Sequence, residues 1–204
     1  MDISSVKSAI HTVSTVLEIP AIIVLIVAVI IVVAELGSVI IEFFVDRFGR
    51  KLNVTKVLEE LSGKTGKQML EIIDANHFQR KQKRAFARLL GNEGLSAEER
   101  RLFAVQLLSE EVARQEKTLY ITDIIARIAP MFGLMATLIP LGPGLIALGQ
   151  GDTKALSDSL LTAFDATVSG LAAAGIAFII SKVRKRWYQS DIDAMETIME
   201  EVIL

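Results

Sequence analysis

The sequence predicts an all-α membrane protein, with three transmembrane helices and long cytoplasmic helical extensions. Three observations predict it. Of 204 residues, 51% are hydrophobic and 23% charged, with a mean hydropathy of +0.47, so apolar and charged residues must be segregated along the chain. They are: Ile128 to Leu148 is a 21-residue run without a charge, and Leu160 to Ile180 is a second of 21 residues whose one charge is Asp165. A third apolar stretch runs from Ile19 to Ala34. At ~1.5 Å per residue, a 21-residue helix reaches ~31 Å, the hydrocarbon thickness of a bilayer. The remaining chain carries its apolar residues at the three- and four-residue spacing of amphipathic helices.

Taken in order, residues 1–18 form a short external tail. It lacks a basic start followed by an apolar run and a small-residue cleavage site, so the first apolar segment reads as a retained span. That span is residues 19–45, with Pro20 in a first-turn position where its missing N–H is harmless. Glu35 interrupts it, and Glu42 and Asp46 each lie within ~20° of Glu35 on a helical wheel, giving one acidic stripe. Glu42 and Asp46 then suit headgroup depth. Glu35 either turns toward another helix or belongs to an ion path, because a carboxylate in hydrocarbon must be paired, protonated or wet.

Residues 46–123 form a cytoplasmic helical region. Val57, Leu58 and Leu61 give one apolar face and Met69, Leu70, Ile72 and Ile73 another, with breaks near Gly63 to Gly66 and Gly91 to Gly94. Ser96 and Glu99 make a capping box, and the helix it starts carries Leu102, Val105, Leu108 and Val112 at helical spacing. With no breaker before Pro130, one long helix is expected to run into the second span, residues 124–148. An external turn, 149–159, leads to the third span, 160–181, and a cytoplasmic C-terminal helix, 182–204. In that last helix Ile192, Met195, Ile198, Met199 and Val202 form a stripe suited to packing on the other cytoplasmic helices.

Orientation follows from the flanking charges. Lys7 and Lys154 are the basic residues of the tail and the turn, whereas the middle segment from Asp46 to Arg127 holds sixteen and the C-terminal segment adds Lys182, Arg184, Lys185 and Arg186. This positive-inside bias puts the N-terminus and the turn outside and the two polar regions in the cytoplasm. Trp187 and Tyr188 fall where an interfacial aromatic anchor belongs. The basic patch Arg80, Lys81, Lys83, Arg84 and Arg88 reads as a solvated helix face close to anionic lipid, and with a net charge of −2 nucleic acid is not an expected partner. No cysteine is present and the two histidines, His11 and His77, are far apart, so no metal site or cofactor is expected. There is likewise no cysteine nucleophile, intramembrane histidine, HExxH or serine-based motif, and an enzyme is not expected.

The chemistry concentrates in the second and third spans. Pro130, Pro140, Pro143, Gly133, Gly142 and Gly144 weaken or kink the second, a tolerable feature where neighbouring helices satisfy the freed carbonyls. Ala166, Gly170 and Ala174 in the third permit close helix contact. Asp165 is an expensive residue there, at about +2.5 to +3.5 kcal/mol on insertion scales. Thr162, Asp165, Ser169 and Ala172 share a face of ~100°, while Thr167 lies ~200° from Asp165. One face suits a pore lining and the other a helix contact, and the sequence leaves both assignments open.

Ile128-Ala129-Pro130-Met131-Phe132-Gly133-Leu134-Met135-Ala136-Thr137 resembles the second-span motif of the MotA/TolQ/ExbB proton channel family. Leu161-Thr162-Ala163-Phe164-Asp165-Ala166-Thr167-Val168-Ser169-Gly170-Leu171 resembles its third-span motif, and the three-span layout is similar to the TolQ/ExbB branch. The resemblance implies a homo-oligomeric, pentameric ring in the cytoplasmic membrane of a prokaryote. It also implies a TolR/ExbD-like single-span partner, whose intramembrane aspartate exchanges protons inside the ring. Thr137 and Thr167 match the family's pore-lining threonines, whose hydroxyls both donate and accept. Three departures stand out: Ala136 replaces a glycine, Pro140 replaces another, and Thr162 stands where the branch usually has glutamate. Asp165 is the one acid of that span, and whether it substitutes for that glutamate is open. The implied pathway residues are therefore Thr137, Thr167, Thr162 and Asp165, with Glu35 as a further intramembrane acid. A proton-driven stator or energiser is the expected function, and a non-conducting membrane scaffold, suggested by the missing glutamate, is the alternative.

Overall fold

The computed structural model describes residues 3–44, 53–76, 78–92 and 94–203, so Asp46, one end of the expected acidic stripe, and His77 lie outside the described residues. Among the described residues the protein is all-helical, with six helices: α1 (Ile3–Glu42), α2 (Val54–Leu61), α3 (Gly66–Ala75), α4 (Arg80–Leu90), α5 (Ala97–Gly149) and α6 (Thr153–Ile203). Three of them, α1, α5 and α6, are long and apolar enough to cross a membrane. The protein is thus a multi-pass membrane protein. The chain divides into two compact units: residues up to Val39 with Tyr120–Lys182, and Ile40–Leu119 with Val183–Leu204.

The first unit is built by the apolar parts of α1, α5 and α6. On α1, Ala21, Leu25, Ala28 and Val32 are buried at heptad-like spacing while Ile23, Ile26, Val27, Ile30 and Val33 are exposed. Ala28 and Val32 pack with Ile125 and Ala129 of α5 and Ala173, Ala174 and Ala177 of α6. The contact face is made of small residues, as it must be where lipid offers no hydrophobic drive and backbones have to approach closely. α1 begins at Ile3, so much of the segment expected as a tail is helical.

α5 continues without a break through Pro130, Pro140 and Pro143. Each proline lacks an N–H, so the carbonyl four residues before it loses its intrahelical donor, but the helix persists. The connection to α6 is tighter than the expected turn. Gly151 takes φ +86, a left-handed conformation that suits glycine, and the Asp152 N–H donates to Ala147 O at 2.9 Å. The Asp152 carboxylate accepts from the Ala155 N–H at 3.0 Å and caps α6.

The second unit has its own core. Val57, Leu61, Ile73, Phe78, Phe86, Leu89 and Leu90 are buried with Ala104 and Leu107 of α5 and Met195, Ile198, Met199 and Val202 of α6. Met195, Ile198, Met199 and Val202 of the C-terminal stripe therefore pack as expected, while Ile192 is half-buried outside this cluster. The stripe on α5 does so only in part: Phe103, Ala104, Leu107 and Leu108 face the core, whereas Leu102, Val105 and Val112 are exposed. The reason is helical phase, since residues 104, 107 and 111 lie on the packed side and residues 102, 105 and 112 lie outside it. Short helices are closed locally: Asn53 accepts from Lys56 N–H at 3.3 Å, and Thr65 with Gln68 and Gln79 with Gln82 form capping boxes. The Ser96 and Glu99 box forms as expected, with Ser96 N–H donating to the Glu99 carboxylate at 2.9 Å and Glu99 N–H to Ser96 Oγ at 3.3 Å.

Candidate functional site

The site is built where α5 and α6 cross. A Cβ on Gly170 would stand 2.8 Å from Ala129 O and 3.0 Å from Gly133 Cα, and one on Gly133 would stand 3.3 Å from Ala166 O and 3.6 Å from Thr167 Cα. Further out, a Cβ on Gly144 would meet Ser159 Cβ at 3.0 Å. The two helices run antiparallel in a constant register, with glycine removing the side chain at each close approach.

Thr137 and Thr167 both sit on the edge of this seam. Thr167, half-buried, has its backbone against Gly133. Thr137 lies one turn beyond Gly133 on the same side of α5, half-buried, and donates to Leu134 O at 2.7 Å. That bond uses the hydroxyl proton and leaves the oxygen lone pairs as acceptors. Thr162 and Asp165 are elsewhere: with Ser169 and Ala172 they form an exposed stripe of α6, and Thr162 donates to Asp158 O at 3.0 Å. Asp165 therefore points away from the seam that holds the threonines. Glu35 falls in phase with Ala21, Leu25, Ala28 and Val32, on the packed face of α1, and is partly buried.

Polar groups that the sequence reading did not single out close the other end of the seam. The Ser181 hydroxyl, 4% exposed, donates to the Asp123 carboxylate, and Thr122 beside it is fully buried. In the second unit Arg184, 3% exposed, pairs with Glu42 at 3.2 Å, and Phe43 stacks on Trp187 with ring centroids 6.1 Å apart. Arg88, part of the basic patch, pairs with Glu110 at 3.0 Å and lies 5.7 Å over the Phe103 ring. Among the described residues no three His, Asp or Glu side chains gather in a way that could hold a metal ion.

A family model describing the MotA/TolQ/ExbB proton channel family matches residues 69–197, more than half of the chain. The chain belongs to the MotA/TolQ/ExbB proton channel family. No curated protein matches it significantly. The family match contains Thr137, Thr162, Asp165 and Thr167, along with Asp123 and Ser181, and leaves Glu35 and the rest of α1 outside. Family membership implies proton flow and complexes with partner proteins. The family is a channel-type membrane family, not a known enzyme family.

Proposed function

We propose that this protein is the proton-conducting stator or energiser subunit of a three-span TolQ/ExbB-like complex, coupling the proton motive force to movement of a single-span partner. The observation that carries the reading is the placement of Thr137 and Thr167 on one seam of α5 and α6, inside the segment matched by the family. In this reading a homo-pentamer surrounds TolR/ExbD-like helices, and a partner aspartate takes and releases the proton. The threonine hydroxyls hold that proton or its water, because each can donate and accept in turn. The ring sits in the cytoplasmic membrane of a prokaryotic cell, with the N-terminus outside and the C-terminus in the cytoplasm, as the basic flanks require.

The assembly has a physical motive. Leu161, Phe164, Val168, Leu171 and Phe178 leave one face of α6 apolar and exposed, and Leu102, Val105 and Val112 leave another on the polar part of α5. The first face suits lipid or a neighbouring copy. The second, outside the apolar run, needs a protein cover.

Proton flux into vesicles holding the complex as isolated from its own membrane tests the reading. Thr137→Ala and Thr167→Ala are expected to abolish it with the ring intact; normal flux would remove both threonines from the pathway. Thr162, standing where a glutamate is usual, favours a second reading, a scaffold that assembles without conducting. A proton current that requires the partner would eliminate it.

A further inference from the structure

We infer that Asp123, held by Ser181, is the carboxylate through which protons leave the α5 and α6 seam at its cytoplasmic end. The inference rests on the channel reading above and adds a residue to it. Asp123 lies fourteen residues before Thr137 on α5, and Ser181 fourteen after Thr167 on α6. On a helix fourteen residues turn to within ~40° of the starting face and advance ~21 Å. The bonded pair therefore closes, on the same strip, the seam whose middle holds the threonines.

The chemistry of the pair suits a proton that comes and goes. A serine hydroxyl donates to a carboxylate and accepts from a carboxylic acid, so this bond survives both protonation states. The contrast within the same protein is Glu42, whose partner Arg184 is a permanent cation that donates but cannot accept. Between Asp123 and Thr137 the strip also carries a bare acceptor. Pro130 lacks an N–H, which frees the Ala126 carbonyl, and Ala126 lies on the Asp123 side of α5. The path then reads as the threonine hydroxyls, the Ala126 carbonyl and the Asp123 carboxylate. A proton arriving at a carboxylate oxygen neutralises Asp123, with Ser181 turning to accept. Its departure to water restores the anion, with Ser181 turning back to donate.

Each helix of this unit also carries a charged residue near this packed end. Glu35 lies one turn beyond Val32 on the packed face of α1, Arg127 one turn along α5, and Lys182 beside Ser181 on α6. Thr122 adds a buried hydroxyl.

The test is proton flux in vesicles reconstituted with the isolated native complex, driven by a potassium gradient with valinomycin and read by an internal pH dye. Asp123→Asn keeps an acceptor for Ser181 but cannot take up and release a proton near neutral pH. It is expected to lower flux by about tenfold or more with the ring eluting unchanged, and Asp123→Glu to restore most of it. A purely structural staple predicts the reverse, normal flux in Asp123→Asn, and that result overturns the inference. If Asp123→Asn does not assemble, Ser181→Ala decides: a shift in the dependence of flux on cytoplasmic-side pH supports the role, and an unchanged profile overturns it. Absence of flux in the wild-type complex would overturn the channel reading and this inference together. Flux that stops in Thr137→Ala yet runs normally in Asp123→Asn would overturn this inference alone.

Discussion

At the scale of single residues, the protein's tolerance is set by which backbone atoms a side chain would meet. Gly170→Ala places a methyl 2.8 Å from the Ala129 carbonyl oxygen, a backbone atom that cannot swing away. It is expected to destabilise the α5 and α6 crossing by about 1–3 kcal/mol, read as earlier thermal unfolding in detergent. Gly175→Ala, five residues along the same helix, meets nothing within 4 Å and is expected to be neutral or stabilising by up to about 1 kcal/mol. Identical shifts for both would remove the special status of the crossing. Glu42 and Arg184 present a different constraint, because Arg184 is 3% exposed and its charge is permanent. Glu42→Ala is expected to cost up to about 5 kcal/mol, more than the Glu42→Leu and Arg184→Met double substitution, which removes both charges. A thermal-shift series across these three proteins measures the difference.

At the scale of elements, α5 is the clearest case of local sequence fixing a long structure. Its start is a reciprocal Ser96 and Glu99 cap, and those bonds hold the exposed Glu99 carboxyl below its ordinary value of 4.5. A lowered folded-state pKa means that the cap contributes above the unfolded value and fades as pH falls through the folded one. Protection of residues 97–100 against hydrogen exchange, relative to the intrinsic rate at each pH, is therefore expected to fall below pH 4.5 in the wild type, and Glu99→Gln to flatten that dependence. The three spans were legible from long apolar runs despite Glu35 in the first and Asp165 in the third, and the unbroken α5 from a capping box followed by no breaker before Pro130. The second-unit face of Met195, Ile198 and Met199 was legible from helical spacing. Thr137 and Thr167 were legible only through motif resemblance, since lone hydroxyls in apolar helices commonly bond their own backbone. Asp123 was not legible, because an acid at the edge of an apolar run reads as a flank until its partner, 58 residues away, is known. The Glu42 and Arg184 pair spans 142 residues and was hidden for the same reason. Helical spacing alone did not say which strip is packed: Leu102, Val105 and Val112 recur at helical spacing, but the core takes the neighbouring strip.

At the scale of the whole molecule, the exposed strip of Leu102, Val105 and Val112 bears on the proposed assembly. Leu102 is 67% exposed and Val105 56%, on a helix segment bearing Arg101, Gln106, Ser109 and Glu110, which is a composition for water and not for lipid. Apolar side chains in such a setting are either scattered singly or covered by a partner, and three on one helical strip argue for the second. In the proposed ring of identical chains a neighbouring copy would be that cover, and closed symmetry would present the same strip at every interface. Val105→Glu would set a carboxylate into each such contact, where burial without a cation is costly. The expected outcome is a shift of the detergent-solubilised complex toward smaller species by light scattering. The second-unit fold should be preserved, because residue 105 lies outside its core. Val105→Ala, which removes bulk without adding charge, should weaken assembly less. An unchanged particle mass for Val105→Glu would place this strip outside the subunit interface and return the exposed face of α6 as the surface along which copies meet.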